Sequence, residues 1–78
     1  MTGVELHRRR CEAAQVDLVR AMRMLASALM RESNVLERGV VPAPESMRAD
    51  IRELKHALLA YDKARAALDA VEAVEASR

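Results

Sequence analysis

The chain has 78 residues, of which 13 are Lys or Arg, 12 are Asp or Glu and one is Cys. A chain of this length forms one domain at most, with a core so thin that a disulfide, a metal or self-association normally supplements it. A lone cysteine excludes an internal disulfide and a cysteine-rich metal site. The near-balance of charge excludes a global field that would draw the chain onto DNA or an anionic membrane. Association with a second copy or another protein is therefore the expected supplement. The opening MTGVELHRRR has no apolar run behind its arginines. No stretch approaches the roughly 18 uninterrupted apolar residues of a membrane span, so a cytoplasmic protein is expected.

Hydrophobic residues make up 51% of the chain, with Tyr61 the sole aromatic. They are mostly Ala, Leu, Val and Met, which favour helices packed closely and suit a β core poorly. Thr2-Gly3-Val4-Glu5 has the capping-box pattern, in which the Thr hydroxyl accepts from the backbone N–H three residues on. A first helix is thus predicted over about 3–38. The segment Gly39-Val40-Val41-Pro42-Ala43-Pro44 contains every Gly and Pro of the chain except Gly3. Gly39 suits a left-handed C-terminal cap and Pro44 suits the first turn of a second helix. The loop is placed at 39–43 and the second helix at about 44–75. Each helix would be roughly 50 Å long, and so short a connection makes them antiparallel.

Cys11, Leu18, Met22, Leu25, Leu29 and Leu36 on helix one, and Met47, Ile51, Leu54, Leu58, Tyr61 and Leu68 on helix two, follow coiled-coil spacings. Pairing Leu36 with Met47, Leu29 with Leu54, Leu25 with Leu58 and Met22 with Tyr61 gives a constant sum of position numbers, 83, and hence one register. Ala14, Ala21 and Ala28 repeat every seven residues, as do Ala57 and Ala64, with Val71 another seven beyond. These smooth ridges flank the proposed seams and are read as the interface between hairpins. The expected fold is all-α: an antiparallel two-helix hairpin, coiled-coil-like, assembling as a four-helix-bundle homodimer or a higher oligomer.

Several residue groups are candidates for function. Arg9, Arg20 and Arg31 are spaced by eleven, three helical turns, so they share a solvent face on which a polyanion could lie. The competing reading has the basic start of helix one neutralised by Asp69, Glu72 and Glu75 at the end of helix two, in weak exposed pairs. Arg65 stands where the seam pattern calls for an aliphatic residue, one turn from Tyr61. It is read as an inward arginine that either binds an anionic ligand or, preferably, pairs with Asp17 or Asp69 and sets the register. Glu53 and His56 have the Glu-x-x-His spacing of carboxylate metal bundles, with Glu32 near their level, but they fall off the seam and need a second subunit to enclose a metal. His7 and Cys11 are an incomplete ligand set, and Cys11 reads as a small buried thiol.

Two glycines provide no phosphate-cradling loop, and no serine has a placed base, so no catalytic residue, cofactor or metal is assigned and an enzyme is not expected. Met24 lies off the main stripe, with Val16, Met30 and Val35 on the outer surface, and flexible thioethers suit adaptable contacts with other proteins. The sequence thus predicts a small non-enzymatic interaction module, such as a regulator, inhibitor or adaptor, working through a helical surface formed on oligomerisation. The alternatives are a binder of a phosphate-bearing ligand or nucleic acid through clustered arginines and, third, a metal-binding carboxylate bundle.

Overall fold

The computed structural model describes residues 2–37 and 44–78, with side chains described for 2–31, 45 and 47–78. The expected loop at 39–43, Arg38 and the side chains of Glu32, Val35 and Leu36 lie outside the described residues. Apart from Thr2, Ser77 and Arg78 the described residues form two helices: α1 over Gly3–Glu37 and α2 over Pro44–Ala76. They pack on each other as the predicted hairpin. Gly3 lies beside Val71, where an added Cβ would sit 4.0 Å from Cγ1. Ala21 and Ala57 border one shared hollow farther along. Numbers rising on one helix while they fall on the other make the pair antiparallel.

The helix ends follow local chemistry. Thr2 Oγ1 accepts a hydrogen bond from the Glu5 N–H at 3.1 Å, and the Thr2 carbonyl accepts from the Leu6 N–H at 3.1 Å. The Thr2 side chain therefore satisfies the Glu5 N–H, which has no backbone partner inside the helix, while the Leu6 bond is the first of the helix itself. Thr2→Ala is expected to cost about 1 kcal/mol, lowering the thermal midpoint by roughly 4–8 °C in a circular-dichroism melt. At the far end of α2 the Ser77 hydroxyl donates to the Val74 carbonyl at 2.9 Å, closing the last turn.

The contact between the helices runs along two rows. On α1 the less exposed positions are Val4, His7, Cys11, Ala14, Leu18, Ala21, Leu25 and Ala28; on α2 they include Met47, Asp50, Leu54, Ala57, Tyr61, Ala64, Leu68 and Val71. Both rows step by alternating threes and fours, the signature of a coiled-coil seam. Cys11, Ala21, Ala28 and Leu68 are the buried members. The expected seam is corrected in one respect. Leu18, Leu25, Met47, Leu54, Tyr61 and Leu68 belong to it, whereas Met22, Leu29, Ile51 and Leu58 are exposed at 53%, 51%, 37% and 46%. Alanines occupy the inner places instead, because a methyl side chain lets two helix backbones approach more closely than Leu or Met does.

The register is corrected as well. Gly3 beside Val71 and Ala21 near Ala57 give sums of 74 and 78, so α2 is displaced from the expected alignment by roughly 8–14 Å, on the order of two helical turns. The hairpin is a rod of 63 × 15 × 14 Å with a radius of gyration of 17.9 Å. A compact domain of the same length would have roughly 11–12 Å. The core is accordingly thin, and no large side chain among the described residues is fully buried.

Candidate functional site

The seam leaves two flanks and an outer face on each helix. Residues that precede the seam leucines by one position come together on one flank: Asp17 and Met24 from α1, Glu53 and Ala60 from α2. They border a hollow of about 260 Å³ with Arg20, Ala21, His56 and Ala57. Small side chains at Ala21, Ala57 and Ala60 create that space. Glu53 and His56 are exposed there, opposite Asp17 and Arg20. Among the described residues no cluster of three His, Cys, Asp or Glu side chains is placed to hold a metal ion.

A larger hollow, about 800 Å³, lies along the outward side of α1 and reaches Asp50 of α2. Val16, Val19 and Met24 supply its apolar surface, while Arg20, Arg23 and Arg31 supply positive charge and Glu12 and Asp50 negative charge. Met24 and Arg20 border both hollows and form the ridge between them. The structure thereby joins two sets of residues that the sequence kept apart. Val16 and Met24, read as partner contacts, share a surface with Arg20 and Arg31, read as anion contacts. Their spacings of three, four and seven turn them to one side of the helix. The same spacing places Arg23 and Val19 on that side.

The remaining candidates fall elsewhere. Met30 is 69% exposed but is not among the residues around either hollow, and Val35 lies outside the described side chains. Arg9 is exposed on α1, away from both hollows. Tyr61 is half-buried in the seam. Arg65 is not an inward residue: its side chain is 53% exposed and its Nε lies 3.3 Å from Asp69 Oδ1, one turn along α2. Four residues from Tyr61, Arg65 has passed to the edge of the seam, and solvating its guanidinium costs far less than burying it. Ala14, Ala21, Ala28, Ala57, Ala64 and Val71 line the seam within the chain rather than an outer ridge. The helices use these small residues on each other.

Electrostatics on the surface are local. The ion pairs among the described residues are Arg20 with Asp17 at 3.8 Å, Arg65 with Asp69 at 3.3 Å and Arg78 with Glu75 at 3.9 Å. All three lie within one helix at exposed positions, where a pair contributes roughly 0–1 kcal/mol. The expected neutralisation of the basic start of α1 by the acidic end of α2 takes no ion-paired form among the described residues, since Asp69 and Glu75 pair within α2. No helix of the described residues is long and apolar enough to cross a membrane. Comparison with protein-family models, with curated proteins and with solved structures finds no match to this chain.

Proposed function

We propose that the chain is a non-enzymatic protein-interaction module, a regulator or adaptor, that docks the outer side of α1 onto another protein and works as an assembly of hairpins in the cytoplasm. The observation that carries this reading is the composition of the 800 Å³ hollow, where Val16, Val19 and Met24 lie among Arg20, Arg23 and Arg31. An apolar strip bordered by guanidinium groups suits an amphipathic helix with acidic residues beside its apolar face. Desolvating the strip supplies affinity, and the arginines fix orientation and speed encounter. Arg20 is partly committed to Asp17 at 3.8 Å, which leaves Arg23 and Arg31 to meet acidic groups on the partner.

The test is affinity capture with the immobilised full chain from an extract of the cells that make it. The protein captured by the wild type is expected to be lost with Met24→Glu, which sets a charge in the apolar strip, and to persist in about 0.5 M salt, where exposed charge pairs are strongly screened. A second reading, a polyanion binder, rests on Arg20, Arg23 and Arg31 lining one surface. Retention that survives Met24→Glu, falls steeply with salt and is abolished by Arg23→Gln with Arg31→Gln would replace the first reading by the second.

A further inference from the structure

The outer side of α1 has a symmetry of its own. Glu12, Val16, Val19 and Arg23 follow one another at steps of four, three and four, so they form one straight row, and all four line the larger hollow. All are exposed, Val16 at 57% and Val19 at 37%. The row faces away from α2, whose contact with α1 runs through Leu18, Ala21, Leu25 and Ala28. From either end it presents a charged residue, two valines and a residue of the opposite charge. Turned end for end, such a row is complementary to itself. The same steps continue outward through Arg9 and Glu5 on one side and through Ala26 and Met30 on the other.

We infer that the helix seated on this row is α1 of a second copy, antiparallel to the first and related to it by a two-fold axis passing between the levels of Asp17 and Leu18. Each Val16 then packs on Val19 of the other copy, and each Glu12 stands level with an Arg23. Four valines meet at the centre, and an opposite-charge pair closes off each end. Farther out, Arg9 falls level with Ala26 and Glu5 with Met30. Among the residues of α1 that line the hollow, no two like charges come level. Charge complementarity thus argues for this occupant, and it fixes the register as well. Sliding the copies by one heptad either way sets Val19 against Arg9 or against Arg23, and a parallel copy sets Glu12 on Glu12 and Arg23 on Arg23, arrangements that cost desolvation or repulsion. The inference rests on the proposed function and names an occupant of its docking side, because α1 is itself an amphipathic helix with a carboxylate beside its valines. One face serves both contacts. A partner protein must therefore displace the second copy in order to dock, which makes dimerisation the control on docking.

Charge reversal, read by sedimentation equilibrium on the full chain, tests the inference. Wild type is expected to reach twice the 8.7 kDa chain mass. Glu12→Arg places two arginine pairs in the dimer and Arg23→Glu places two glutamate pairs, so each variant alone is expected to self-associate at least roughly tenfold more weakly. Mixed in equal amounts, the two variants regain two opposite-charge pairs, and a species of dimer mass is expected at about the wild-type strength. Both changes in one chain should restore the dimer in the same way. These restorations separate loss of the interface from loss of folding. If wild type is dimeric and the single variants are equally so, or if neither mixing nor the combined variant restores the dimer, another face joins the copies and this inference fails. A single-chain mass for wild type at every concentration would remove the assembly and this inference with it. The docking of a heterologous protein stands or falls separately, on its capture by wild type and its loss with Met24→Glu.

Discussion

Leu68→Ala is expected to remove about 2–4 kcal/mol of stability, because Leu68 is the only large aliphatic residue of the described core that is buried, at 3% exposure. The loss combines the transfer energy of the missing carbons with the cavity left between two helices that also touch at Ala and Cys positions. In a small helical domain, each kcal/mol lowers the melting midpoint by roughly 4–8 °C, so the thermal transition should move down by roughly 8–32 °C. Leu59→Ala is the control. Leu59 is 69% exposed on the outer side of α2, and its truncation should stay within about 0.5 kcal/mol of wild type. Both melts belong at one fixed protein concentration, since association adds concentration-dependent stability. Equal effects at the two positions would mean that the face of α2 turned to α1 has been misplaced.

Ala28→Leu is expected to be destabilising by about 1–3 kcal/mol although it adds apolar surface. Ala28 is 3% exposed in the seam, where a leucine would have to push α1 and α2 apart or leave its rotamer. Ala26→Leu, two residues away, adds the same atoms to an exposed position. It should leave the melt unchanged or raise it. The comparison reads the seam directly through chemical denaturation of the two variants. Were the alanine repeat an outer ridge, the order of the two effects would be reversed.

That contrast marks where sequence reasoning succeeded and where it stopped. The hairpin was legible because its signals are local: a capping threonine at Thr2, breakers concentrated between Gly39 and Pro44, and apolar spacings of three and four on either side. The leucine row common to both readings, Leu18 and Leu25 on α1 and Leu54, Tyr61 and Leu68 on α2, was legible for the same reason. Which neighbour completes the seam was not. Ala21 and Met22 flank Leu18 and Leu25 on opposite sides at equally good helical spacing, and size favoured methionine. The structure places alanine inward because that choice shortens the distance between helices along the whole rod, a property of two surfaces together that no single position displays. The constant sum of 83 had little discriminating power, since two heptad patterns running in opposite directions align at several shifts.

The site was legible only in pieces for a related reason. Met24 and Arg20 were each singled out, one as a contact for a partner and the other for an anion. Their joint position between two hollows depends on how α2 lies across α1. Arg65 was misread because its place in the sequence resembles a seam position, yet Asp69, four residues on, holds it at the surface. A long charged side chain at the edge of a seam reaches solvent readily, so its position alone is a poor guide to burial.

The mass of the wild-type chain in solution, followed by sedimentation from low micromolar to millimolar concentration together with its helical content, tests most directly the claim that this hairpin completes itself with a second copy. The account predicts a helical species of twice the 8.7 kDa chain mass, with helix content falling as dilution separates the copies. A cooperatively folded, fully helical single chain throughout that range would contradict it.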